Sequence, residues 1–148
     1  MDMSYSHILV AVDGSEPAEW AFRKGIEIAK RNNATLNLVH VVDTSQYHGI
    51  ELYDVNFTKR AIKRAEELLD GYAQEAKEKG IEKVETLVQE GSPKAVITKH
   101  AAKKVGADLI ICGAKGMNAV ERMFLGSVSE HITRHAECDV LIVRTEKE

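Results

Sequence analysis

The chain has 148 residues, of which 44% are hydrophobic and 29% charged, and this mix predicts one globular domain spanning residues 1–148. The net charge is only -3, and the basic residues are spread along the predicted helices, so we expect no nucleic-acid partner. The sequence shows neither a signal-peptide pattern nor an apolar run of membrane-spanning length. We therefore expect a cytoplasmic protein without a membrane partner.

Strand and helix patterns alternate along the first half of the chain. A β-branched run at 7–13 predicts a buried strand, and Ser15 is placed to cap a helix that continues to about residue 31. Residues 36–42 form the second predicted strand. The loop at 43–55 is long for a compact domain, so it is either a surface excursion or a cover over a site. A helix then follows over 56–79 and stops at Gly80.

The second half repeats the alternation. We predict strands at 84–88, 108–112 and 140–143, with helices at 92–104 and 127–135 between them. This order is typical of an α/β fold with a five-stranded parallel sheet in the order 3-2-1-4-5 and helices on both faces. Ligands bind such sheets where the strand order reverses, here beside Asp13 and Gly113. Cys112 and Cys138 fall at opposite ends of neighbouring strands, so we expect no disulfide.

A glycine pattern follows the fourth strand. Gly113-Ala114-Lys115-Gly116 is separated by nine residues from Gly126-Ser127, which open the last helix. Glycines let the backbone approach a bulky anion, and amides at a helix amino terminus hydrogen-bond phosphate oxygens. Ser127 and Glu130 also match a capping box, so the residues alone leave helix capping and phosphate binding equally open.

This glycine pattern resembles the ATP-binding signature of the universal stress protein family. The resemblance extends to the opening run from His7 to Ser15, to Leu38-Val39-His40-Val41 and to the closing run from Cys138 to Val143. It therefore covers nearly the whole chain. One departure is Asp139, where many relatives have proline, and this affects the start of the last strand or a dimer contact rather than the phosphates.

The resemblance implies a Rossmann-like fold of the adenine nucleotide alpha hydrolase type and a homodimer. The predicted strand order leaves the apolar residues 140–143 at a sheet edge, so we expect the dimer to be joined there. The resemblance also implies that ATP, with Mg²⁺ or Mn²⁺, is bound for regulation during stress, with Asp13 contacting ribose, Val41 beside adenine and Ser127 able to reach the metal. The full set of implied nucleotide ligands is Ala11, Asp13, Val41, Gly113, Lys115, Gly116, Gly126, Ser127, Val128 and Ser129. No protein partner is indicated.

Two of these features have other interpretations. Asp13 precedes Gly14 and Ser15 and can organise a turn by accepting backbone N–H groups. His131 and His135 lie one turn apart with Cys138 nearby, which suggests either a metal site or, as we favour, histidines placed at a helix end by the dipole.

Three functions remain compatible with the sequence. Motifs for P-loop enzymes, for dinucleotide oxidoreductases and for phospho-accepting receivers are missing. An ATP-binding regulator is favoured over a slow ATP hydrolase, because no general base is placed beside the expected γ-phosphate. The third function is a nucleotide-free dimer that acts through protein partners. We assign no catalytic residue.

Overall fold

The computed structural model describes residues 2–49, 54–114 and 125–145. Within them lies a five-stranded parallel sheet in the order β3-β2-β1-β4-β5, which confirms the predicted fold class. The strands are β1 (His7–Ala11), β2 (Thr35–Asp43), β3 (Val84–Gly91), β4 (Leu109–Gly113) and β5 (Asp139–Val143). The strand order reverses between β1 and β4, where the sequence placed the ligand site.

The helices are α1 (Glu16–Asn32), α2 (Val55–Glu78), α3 (93–105) and α4 (Ser127–His135), and a short 3₁₀ turn occupies Thr44–Gln46. The predicted start of α1 is confirmed, since the Ser15 hydroxyl accepts the Ala18 N–H at 3.3 Å and Pro17 lies in the first turn.

Alternate residues of the central strands face two hydrophobic clusters. On one side, Ile8 and Val10 pack with Phe22 of α1 and Leu69 of α2. On the other side, Leu9 and other residues of the sheet pack with Ile97 and Ala101 of α3 and with Ile132 of α4. Burial on both faces accounts for the uninterrupted apolar runs of β1 and β4.

Helix α3 departs from the regular helix that the sequence predicts. It contains a π-helical turn at Ile97–Ala101 between the α-helical segments Pro93–Val96 and Ala102–Val105. Residues five apart in an α-helix point about 140° from each other, whereas a π turn brings them toward one face. Lys94 precedes this turn and Lys99 lies within it, five residues further along the chain.

Both cysteines are free, as expected. Cys112 lies opposite Ile142 in the sheet, whereas Cys138 precedes the first residue of β5. Among the described residues, none of the helices is long and apolar enough to cross a membrane.

Candidate nucleotide-binding site

The candidate site lies at the carboxyl edge of the sheet, between β1 and β4. Ala11 and Val41 are half-buried and pack against the cluster on the α3 and α4 face. Ala11 is paired with Val39, so Val41 extends two residues further along β2 on the same face. Together they form an apolar wall of the kind that a flat aromatic ring can contact.

Asp13 is exposed just beyond the end of β1. Its Oδ1 accepts the Ser15 N–H at 2.9 Å, and Gly14 has a φ of 82°. The turn-organising role considered for Asp13 is therefore present. Because one carboxylate oxygen is enough for that bond, the other can accept a hydrogen bond from a ligand.

His40 organises the same edge of the sheet. Its Nδ1 lies 2.8 Å from the Val12 carbonyl oxygen, and since a carbonyl only accepts, Nδ1 carries the proton. The Val12 N–H in turn donates to the Val39 carbonyl at 2.9 Å. This role of His40 could not be predicted from local sequence, because its contact is with a residue 28 positions away.

Gly113 ends β4 in close contact with helix α1. A Cβ added at Gly113 would lie 2.7 Å from Pro17 Cβ and 2.8 Å from the Pro17 carbonyl carbon and oxygen. Real Cβ atoms essentially never approach backbone so closely. Glycine is thus required here by packing, which the sequence around Gly113 does not indicate.

The two ends of the segment between β4 and α4 are joined by hydrogen bonds. The Gly126 N–H donates to the Ala114 carbonyl at 2.7 Å, and the Ser129 hydroxyl lies 2.8 Å from the same oxygen. Lys115 and Gly116, both assigned to the phosphates by resemblance, lie outside the described residues.

The capping box considered for the last helix is not formed. Gly126, in an extended conformation with φ -68° and ψ 162°, occupies the N-cap position, and no side-chain cap bond joins Ser127 to Glu130. Ser127 is instead the first helical residue, with an exposed side chain. The capping interpretation of the Ser127 side chain is therefore wrong.

The amino terminus of α4 lies beside the end of β4, because Gly126 and Ser129 both donate to the Ala114 carbonyl. The Glu130 N–H makes the first bond of this helix, to the Gly126 carbonyl at 2.9 Å. The N–H groups of the three preceding residues, Ser127, Val128 and Ser129, therefore have no partner along the helix axis and carry the positive end of its dipole. Such a terminus can bind an anion.

The histidine pair lies one turn further along α4. The ring centroids of His131 and His135 are 4.2 Å apart, and desolvation, His135, Lys94 and Lys99 all lower the pKa of His131. The positive lysines disfavour a bound cation at this pair. In the parts of the chain that the structure describes, no three His, Cys, Asp or Glu side chains form a metal-binding group.

The parallel sheet and its strand order define an α/β protein of the doubly wound type, a fold in which ligands generally bind at the switch point. The Universal stress protein family model matches residues 4–144, and the chain belongs to this family. A Staphylococcus epidermidis protein that carries the universal stress protein name is 54% identical over 145 residues, covering 98% of this chain and 87% of that protein.

Solved structures agree with this assignment. The universal stress protein UspA of Lactobacillus plantarum superposes with a TM-score of 0.86 at 32% identity, covering 97% of this chain and all of the other. A universal stress protein solved in complex with cAMP has a TM-score of 0.69 at 26% identity, with coverage of 97% and 99%.

Proposed function

We propose that this protein binds ATP at the carboxyl edge of β1 and β4 and acts as a nucleotide-dependent regulator in the stress response. The observation that carries this proposal is the pair of bonds from Gly126 and Ser129 to the Ala114 carbonyl. They hold the open amino terminus of α4 beside the end of β4, where phosphate groups would be bound. The cAMP complex of the related protein supports an adenine nucleotide as the ligand class.

Each part of the nucleotide has a matching surface. The apolar wall of Ala11 and Val41 would contact the adenine ring, and the exposed carboxylate of Asp13 would accept a ribose hydroxyl. The triphosphate would lie along the start of α4. Its ligands would be the backbone of Gly113 and Gly126, the N–H groups of Ser127, Val128 and Ser129, and the segment with Lys115 and Gly116.

A divalent cation, Mg²⁺ or Mn²⁺, would accompany the triphosphate and neutralise part of its charge. The exposed Ser127 hydroxyl is the side chain placed to reach such an ion. The described residues supply no three-ligand protein site, so the phosphates would have to provide much of the coordination. We assign no catalytic residue and propose binding as the function.

The test is a calorimetric titration of wild type and Asp13→Asn with ATP and with 2′-deoxy-ATP. A carboxylate that accepts a ribose hydroxyl contributes roughly 1 to 3 kcal/mol, so the substitution should weaken ATP about five- to 150-fold. If the contact is with the 2′-hydroxyl, wild type should prefer ATP to the deoxy form, and the variant should lose most of that preference.

Asp43→Asn is the matched control. Asp43 ends the neighbouring strand β2, and its Oδ1 accepts the Ser45 N–H at 3.1 Å, much as Asp13 accepts the Ser15 N–H at 2.9 Å. We expect this control to keep the sugar preference. Equal sugar discrimination in wild type and Asp13→Asn would contradict the 2′-hydroxyl contact, and a wild type without adenine nucleotide affinity would contradict the proposed function.

A further inference from the structure

The hydroxyl of Ser129 is one of the most enclosed polar groups in the described chain. The residue is only 3% exposed, and its Oγ lies 2.8 Å from the Ala114 carbonyl oxygen and 3.0 Å from that of Gly126. A serine hydroxyl has a single proton, so these two carbonyls share it. Both acceptors flank the segment that connects β4 to α4.

The Ala114 carbonyl receives two donors from the start of α4. The Gly126 N–H reaches it at 2.7 Å, beside the Ser129 hydroxyl, while the Ala114 N–H donates to Val143 of β5 at 3.0 Å. Ala114 therefore links the edge of the sheet to the first turn of α4. The helix terminus cannot shift relative to β4 without breaking at least one of these bonds.

A second hydroxyl on α4, that of Thr133, makes a hydrogen bond within the helix and serves as a comparison for Ser129. Thr133 donates to the Ser129 carbonyl at 2.8 Å, one turn back along the same helix. That bond joins two residues of one helix and leaves the neighbouring strand untouched. The Ser129 bond to Ala114 spans 15 positions of the sequence and joins two different elements.

We propose that the buried hydroxyl of Ser129 positions the phosphate-binding N–H groups of α4 for the triphosphate and does not itself touch the ligand. The inference rests on the proposed function. By holding the Ala114 and Gly126 carbonyls, the hydroxyl fixes the distance between β4 and the N–H groups of α4. Phosphate oxygens then meet donors that are already oriented, and no ordering cost is added at binding.

The experiment compares wild type, Ser129→Ala and Ser129→Thr in calorimetric titrations with ATP and with adenosine. Removal of the hydroxyl should lower ATP affinity about ten-fold, because the phosphate donors lose their alignment. Adenosine affinity should be unchanged, since Ala11, Val41 and Asp13 are not moved. The ratio of ATP to adenosine affinity should therefore fall in Ser129→Ala and recover in Ser129→Thr, which retains the hydroxyl.

Thr133→Ala is the matched control, because it removes a hydroxyl-to-carbonyl bond of the same length from the same helix. Its ATP to adenosine ratio should equal that of wild type. If Ser129→Ala does not fold, Ser129→Cys provides a similar shape with a weak donor. The exchange rate of the Gly126 N–H should rise in Ser129→Ala and in Ser129→Cys but not in Ser129→Thr, and this measurement needs no ligand.

Two results would overturn the inference. A folded Ser129→Ala with the wild-type ratio would show that the hydroxyl does not position the phosphates, while leaving the proposed ATP binding intact. A variant that loses ATP and adenosine affinity equally, together with a lower melting temperature, would show that Ser129 supports only the fold. A wild-type protein that binds ATP no more tightly than adenosine would instead contradict the proposed function itself.

Discussion

Gly113 has a packing role that is independent of any ligand. The first turn of α1 approaches it so closely that Pro17 occupies the place of a side chain. Helix α1 also follows Asp13 and Gly14 directly, so its position affects the turn beside the site. Because Gly113 has no Cβ, β4 and α1 can pack closely together at the edge of the sheet where we propose that the nucleotide binds.

We predict that Gly113→Ala destabilises the protein by about 1 to 3 kcal/mol, because the new Cβ would overlap the Pro17 backbone. Gly71→Ala is the control. A Cβ at Gly71, inside α2, would meet nothing within 4 Å, so that change should stabilise the protein by about 0.5 to 1 kcal/mol. Urea unfolding of the two variants measures both effects. Equal unfolding free energies of Gly113→Ala and Gly71→Ala would contradict the packing role proposed for Gly113.

For individual residues, the sequence indicated which positions to consider more readily than it indicated the contacts that those residues make. Gly113 was singled out for phosphate approach, but its contact with Pro17 depends on how α1 crosses β4. Ser129 was assigned through its backbone N–H, whereas its hydroxyl bonds to Ala114 exist only once the sheet and α4 are assembled. Ser15 was predicted correctly because its cap bond reaches only three residues along the chain.

At the scale of elements, helices α3 and α4 pack through apolar residues and also bring basic side chains near one another. The Nε2 atom of His131 is buried and has no hydrogen-bond partner in the described parts of the chain. His135 stacks on it from the same helix, and Lys94 and Lys99 act on it from α3. Protonation of His131 would add a positive charge to a desolvated site that already faces two cations.

We predict that stability falls on acidification through this contact. The folded-state pKa of His131 lies below the ordinary value of 6.5, so the unfolded chain binds more protons as the pH drops through about 6.5. The unfolding free energy should therefore decrease from about pH 7 toward the lower folded-state pKa, and then level off for this group. Denaturant unfolding at several pH values measures the slope.

His131→Gln should make that slope shallower. His100→Gln, at an exposed position of the π-helical turn, is the control and should leave the slope as in wild type. If both variants have the wild-type slope, the contact between α3 and α4 does not carry the pH dependence.

The π-helical turn in α3 could not be predicted from residues 92–104. Their pattern of apolar and basic residues, with Ser92 and Pro93 at the start and Gly106 at the end, is that of an ordinary helix. The turn is seen only in the folded chain, where Ile97 and Ala101 are both buried against the sheet. Helix bounds were predicted well where caps marked them, whereas β3 continues past the predicted Val88 to Gly91 by pairing with β2.

At the scale of the whole molecule, the sheet has two edges with different surfaces. On β3 the exposed Glu85 and Thr86 interrupt the half-buried apolar residues, whereas on β5 Val140, Leu141 and Ile142 form an unbroken half-buried apolar run. An apolar edge strand favours pairing with a second copy. We propose that β5 forms the homodimer contact.

We predict a wild-type dimer at micromolar concentrations and a weakened dimer for Leu141→Asp, which places a charge on the apolar edge. Thr86→Asp adds the same charge to the opposite edge and should remain dimeric. Light scattering gives the mass, and melting curves of each variant show whether the fold survives, since Leu141 also packs against the core. A monomeric wild type would contradict the proposal.

The strand order could be predicted because strands and helices alternate along the chain and right-handed crossovers leave few arrangements. The start of β5 could not. Asp139, noted as a departure from proline, is the first residue of that strand, and the Tyr5 hydroxyl donates to its Oδ2 at 2.7 Å. This contact joins residues 134 positions apart, so no local pattern indicates it.

Because Cys112 is buried, the rate at which its thiol is alkylated can report local opening of the sheet. Desolvation by this burial raises the pKa of the thiol to about 12, so little reactive thiolate is available to an alkylating reagent in the folded protein. Cys138, at the opposite end of the sheet, is half-exposed and would be labelled first. The rate of the slower labelling phase, from Cys112, would then measure how frequently β4 separates from its neighbours near Gly113 and Ala114. A ligand held at that edge would slow this second phase, and mass spectrometry of the intact protein would count the labelled thiols without any substitution in the sequence.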